Sequence, residues 1–113
     1  MASDEMVSRW DDVPLEKVTE MVSRKIVGGY RHLLAQVYLK RGAHVPMHVH
    51  DSDQTVYVLQ GVLRYFVDGR EITVRAGEVL HIKPEIPHQA EVIDDTFALV
   101  VFSPIPDQWI RTS

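Results

Sequence analysis

The chain has no cysteine, which excludes disulfide bridges and thiolate metal ligands alike. It has no long apolar run either. The longest, Phe97 to Phe102 (Phe-Ala-Leu-Val-Val-Phe), falls far short of the roughly 20 residues a membrane-crossing helix needs. Positive charge is neither abundant nor clustered: 12 lysines and arginines against 16 aspartates and glutamates leave a net charge of −4. The electrostatic footprint of a nucleic-acid-binding surface is therefore missing, and neither nucleic acid nor membrane is an expected partner. The opening Met-Ala-Ser-Asp-Glu is acidic and lacks an apolar signal region, so the expected location is the cytoplasm. No internal repeat, low-complexity segment or sustained helical periodicity is visible. What remains, 113 residues with 45% apolar content, is a globular chain large enough for one core but not two.

The sequence is instead rich in short strands divided by turn signals. Residues 1–9 are polar, and Trp10 and Val13 ahead of Pro14 read as an anchor. Residues 1–14 are thus expected as an arm laid on a barrel formed by 15–113. Met21 to Val27 runs into Gly28-Gly29, a turn signal. Leu33, Ala35, Val37 and Leu39 alternate with Leu34, Gln36, Tyr38 and Lys40, and two further segments, Thr55 to Gln60 and Val62 to Val67, bracket Gly61. Asp68-Gly69 is a hairpin dipeptide, because its turn needs positive φ at both central positions. It sets Val67 opposite Arg70 and Tyr65 opposite Ile72, so Leu63, Tyr65, Ile72 and Val74 should share a face. Glu78 to Lys83, His88 to Ile93 and Thr96 to Phe102, with Asp94-Asp95 as a further turn, complete about nine strands. The expected class is all-β, a double-sheet jelly-roll barrel. Leu33 to Leu39 and Phe97 to Phe102 are apolar on both faces, whereas a half-exposed antiparallel sheet should alternate. An outer face is therefore expected to be covered by the arm or by a second subunit, and a homodimer is favoured. Pro104 to Ile110 reads as a short turn that docks Trp109.

Histidines carry the chemistry. One cluster reads Gly42-Ala-His-Val-Pro-Met-His48-Val-His50-Asp-Ser-Asp-Gln54, followed by Gly61; the other reads Gly77-Glu-Val-Leu-His-Ile-Lys-Pro-Glu-Ile-Pro-His88. In a strand, residues two apart face the same way, so His48 and His50 can reach one ion. Gln54 can join them if the intervening loop keeps phase, and His88 would close the site from a distant strand. Three imidazoles and one oxygen donor suit a divalent transition metal, one per chain, whether Mn, Fe, Ni, Cu or Zn.

These motifs resemble those of a single-domain cupin. Gly42, His48, His50, Gln54 and Gly61 fill the first cupin motif without a gap. In the second motif Gly77 and His88 fall in place, while Lys83, Glu85 and Val92 stand where Pro, Gly and Asn are usual. The resemblance runs from about Lys25 to Phe102 and implies the RmlC-like double-stranded β-helix. Among single-domain cupins the chain is most similar to the pectin-degradation type that opens and ketonises unsaturated uronates. The shared features are the Trp-Asp-Asp-Val entry, the Ser-Arg-Lys strand, glutamine as fourth ligand, a histidine at His81 and the ending Val-Phe-Ser-Pro. Two features of that type are absent: Val100 stands where it carries an acid, and Ile105 and Pro106 occupy the stretch where it carries an arginine. His81 is then the expected proton carrier.

Because the Gln54 amide is neutral, a bound ion would keep its full double positive charge and act strongly as a Lewis acid. The expected activity is that of a lyase or isomerase acting on a small oxygenated molecule, with sugar acids among the candidates. The alternatives are a metal-dependent dioxygenase and a non-catalytic binding protein. Candidates for the pocket wall are Arg24, Lys25, Arg64, Arg75, Gln60, Tyr38, Tyr57 and Tyr65, with Phe102 closing its apolar side. His44 is expected to be exposed in the loop ahead of the ligands, and His32 is given no role.

Overall fold

The computed structural model describes residues 6–109. It contains eight strands: β1 (Glu16–Lys17), β2 (Val22–Gly28), β3 (Leu33–Leu39), β4 (His44–His48), β5 (Asp53–Val67), β6 (Arg70–Arg75), β7 (Val79–Ile82) and β8 (His88–Ser103). Two short 3-10 turns, Trp10–Asp12 and Asp107–Trp109, flank them. Among the described residues no helix is long and apolar enough to cross a membrane.

All pairings are antiparallel, and two long strands build both layers. The first half of β5 (Asp53 to Gln60) pairs with β7 on one side and with the second half of β8 on the other; β3, β2 and β1 extend that layer. The second half of β5 pairs with β6 and with the first half of β8, which in turn carries β4. The result is a jelly roll whose inner faces meet in one core: Leu33, Val37, Val56 and Val58 from the first layer, Leu63, Val74 and Val92 from the second.

About nine strands were expected and eight are seen, because Gly61 bends a strand without ending it. Its φ is +100° and a Cβ there would collide with the Thr96 side chain and the Asp95 carbonyl. The register between β5 and β8 shifts on both sides of it, between Val58 and Gln60 and again between Gln60 and Leu63. Such bulges turn a strand out of one layer and into the other. Asp94-Asp95 likewise lies within β8. The hairpin behaves as expected: Asp68 and Gly69 have φ of 50° and 79°, and Val67 faces Arg70 while Tyr65 faces Ile72.

At the N-terminal side, the Lys25 ammonium donates to the Trp10 carbonyl at 2.8 Å, tying the first turn to β2. The Trp109 ring docks on Phe102, ring centroids 4.9 Å apart. Ile110, the last residue of the expected docking turn, lies outside the described residues.

Candidate metal centre

The strand ends deliver the candidate ligands. His48, the last residue of β4, pairs directly with His88, the first of β8. Gln54 sits one residue into β5, between Ile82 of β7 and Phe102 of β8. His50 lies just beyond β4, in the turn to β5. That turn is held by the Glu85 amide donating to the His50 carbonyl at 2.8 Å and by the Ser52 hydroxyl donating to the Pro104 carbonyl. His50 thus faces inward because of the turn rather than strand alternation. Gln54, His50 and His88 are buried and His48 half-buried.

One ring nitrogen from each of His48, His50 and His88 lies within 4.8 Å of the others. Neighbouring carbonyls fix the tautomers. The Nδ1 atoms of His48, His50 and His88 lie 2.8, 3.1 and 2.8 Å from the carbonyls of Pro46, Ser52 and Ile86. A carbonyl only accepts, so each neutral ring carries its proton on Nδ1 and presents a lone pair on Nε2. His88 Nε2 is buried without any hydrogen-bond partner. His50 Nε2 faces Gln54 Oε1 at 3.0 Å; two lone pairs at that distance repel unless a cation sits by them or the amide turns its NH2 to the ring.

Burial holds the His88 imidazole below its ordinary pKa; the Ile86 carbonyl opposes this, and His48 and His50 add to it. Neutral imidazoles with a shared focus, an orphaned lone pair and an amide oxygen beside them fit a first-row divalent ion.

A cavity of about 250 Å³ opens onto His48, Gln54 and His88. Of the residues expected at its wall, Arg24, Tyr65 and Phe102 are there, and His44 joins them at the exposed end of β4. Burial pushes the Tyr65 hydroxyl well above its ordinary pKa, so it keeps its proton. Lys25, Arg64 and Tyr38 are engaged elsewhere: Lys25 with Trp10, Arg64 beside Glu71 and Glu91 at 4.0 and 3.9 Å, Tyr38 stacked on Phe97 on the outer face. Gln60, Tyr57 and Arg75 also lie outside the cavity wall.

His81 is not brought to the site. It pairs with Thr55, out of phase with the inward Gln54 and Ile82, and its exposed ring contacts Asp53 Oδ1 at 2.5 Å. Among the residues that sequence reasoning missed is Thr19, which lines the cavity from the turn ahead of β2; a short polar residue in a turn gives no signal of this.

Residues 35–104 match the cupin domain, and the chain belongs to the cupin family. In structure it is similar to an RmlC-like cupin from Shewanella frigidimarina, with a TM-score of 0.86 and 22% identity over 97% of this chain and 100% of that one. It is similar also to KdgF from a Halomonas species, with a TM-score of 0.81 and 25% identity over 88% of this chain and 94% of that one. A predicted oxalate decarboxylase from Thermotoga maritima matches with a TM-score of 0.76 and 22% identity, covering 88% of this chain and 100% of that one. An uncharacterised protein of Methanocaldococcus jannaschii is 27% identical over 67% of this chain, and the match spans 62% of that protein's length.

Proposed function

We propose that the chain binds one divalent transition metal (Mn, Fe, Ni, Cu or Zn) through His48, His50, Gln54 and His88, and that it is a cytoplasmic lyase or isomerase acting on a small oxygenated substrate, a sugar acid being the favoured class. The observation that carries this reading is three imidazoles with one ring nitrogen each within 4.8 Å of the others and every Nδ1 held by a carbonyl, which leaves Nε2 as the lone-pair atom. Bound there, the metal supplies a Lewis acid whose charge four neutral donors leave undiminished. Likeness to KdgF and to a predicted oxalate decarboxylase supports chemistry on small acids.

The chain's own part is binding and proton handling. With His81 on the outer face, the protic side chains at the cavity wall outside the ligand set include Tyr65 and His44. Tyr65, kept protonated by burial, donates a hydrogen bond to a substrate oxygen as negative charge develops on it. His44, at the rim, is placed to exchange a proton with solvent. Among the described residues no aspartate or glutamate lines the cavity, which favours, as a second reading, a protein that binds its ligand without turnover.

Elemental analysis of protein purified without chelator tests the metal: close to one ion per chain is expected, lost in His88→Ala. A screen of sugar acids on metal-loaded protein should then find turnover without oxygen uptake. Metal-free wild-type protein would sink the proposal. Oxygen consumption matching product would replace the lyase with a dioxygenase, and binding without turnover would favour the second reading.

The proposal extends to assembly. The outer face of the first layer carries Tyr38, Phe97, Leu99, Val101 and Tyr57, with Tyr38, Tyr57 and Val101 each 38% exposed. A second copy of the chain is the occupant that this apolar face suits.

A further inference from the structure

Among the described residues, the cavity beside the ligand imidazoles has one permanently charged side chain in its wall, Arg24, and no lysine, aspartate or glutamate lines it. β2 turns Arg24 inward opposite Val37, a core residue of β3. Its side chain is only 15% exposed. Two contacts fix the plane of the guanidinium: Nε donates to Glu16 Oε1 at 2.5 Å, and the central carbon lies 4.1 Å above the Trp109 ring. A guanidinium carries five N–H donors in a rigid fork, and the Nε contact takes one of them.

We propose that Arg24 is the residue that selects a carboxylate on the molecule occupying this cavity. The inference rests on the metal-centre reading and deepens it, since it assigns the other end of the substrate. Arg24 and a divalent ion held by neutral donors both place positive charge at the cavity, and Glu16, reaching Arg24 from β1, offsets part of it without lining the wall. In a part-buried, low-dielectric space such charge favours an anionic occupant over a neutral one of the same shape. An immobilised guanidinium matches the planar carboxylate in geometry as well as charge. The cavity, about 250 Å³, lies below the roughly 300–1,000 Å³ of drug-sized pockets, so the occupant is of monosaccharide size or smaller. The competing account makes Arg24 a strut that braces Glu16 and Trp109; that role predicts no preference between acid and neutral ligands.

Galacturonate and galactose differ in carrying a carboxylate or a hydroxymethyl group on the same ring, and calorimetric titration of the metal-loaded full chain with each separates the two accounts. Wild-type protein should prefer galacturonate by roughly 10-fold or more, the range of a hydrogen bond to a charged group. Arg24→Gln should bring the two affinities together with metal content unchanged. Arg24→Lys, which keeps the charge and loses the fork, should weaken galacturonate several-fold and leave galactose as it was. Absence of a preference in wild-type protein, its persistence in Arg24→Gln, or equal weakening of both sugars in Arg24→Lys would overturn the proposal. If wild-type protein held no metal, yet Arg24→Gln still erased the preference, the metal-centre reading would fall and the role of Arg24 would stand.

Discussion

Each imidazole of the candidate centre is oriented by a carbonyl only two residues away in the chain: Pro46 for His48, Ser52 for His50, Ile86 for His88. The local backbone thus sets the tautomer, and an ion bound there would meet lone pairs already presented to it. Removing the His88 ring should lower metal affinity by at least about 100-fold, read as retention against a chelator. Gln54→Glu should act oppositely and tighten retention, because an ionised oxygen is the stronger donor to a divalent ion. It should also weaken anionic ligands, since the charge at the cavity floor falls. Tyr65→Phe should slow turnover by about 100-fold with metal content intact if the phenol donates to developing charge. The depressed pKa of His88 makes stability depend on pH in the metal-free protein. The unfolded chain takes up a proton near the ordinary value of 6.5 and the folded one only at lower pH. Stability is therefore full above that value and falls as pH drops through it. Denaturant titrations at a series of pH values should show this loss, and it should be smaller in His88→Gln.

At the scale of elements, local signals were legible and tertiary phase was not. Asp68-Gly69 dictated its hairpin because two adjacent residues determine the register. The spacing of His48, His50, Gln54 and His88 was readable from motif alone, even though His50 lies beyond the strand that sequence reasoning gave it. The direction of His81 was not legible because it follows from how β7 pairs with β5, a contact between distant segments. Arg24 and Tyr65 could not be told from Tyr38 or Arg64 for the same reason: on strands apolar on both sides, alternation does not say which face is inner. Gly61 looked like a boundary because glycine commonly ends strands, whereas here it lets two backbones approach closely at positive φ. Gly61→Ala should therefore destabilise the fold by at least ~2 kcal/mol, combining left-handed strain with a steric clash. A fall in the denaturation midpoint with unchanged slope is the measurement that checks it.

For the whole molecule, the apolar outer face of the first layer predicts a dimer. Light scattering at micromolar concentration should give twice the 12.9 kDa chain mass, with an interface burying more than roughly 1,200 Å². Tyr38→Asp, which places a charge beside Phe97, should shift the mass to that of one chain. A monomeric wild-type protein would leave the outer face without the occupant proposed for it.

β5 and β8 run through both layers, so neither layer owns a full set of strands that it could keep if the other came apart. Opening anywhere along them frees residues at both ends of the barrel, and partial unfolding has few places to stop. Amide exchange should report this as cooperativity: Leu63 to Val67 and Ala98 to Phe102, in different layers, should exchange through the same opening and at the same free energy. A metal bound at His48, His50, Gln54 and His88 would then slow both segments together, although it touches only one end of the fold.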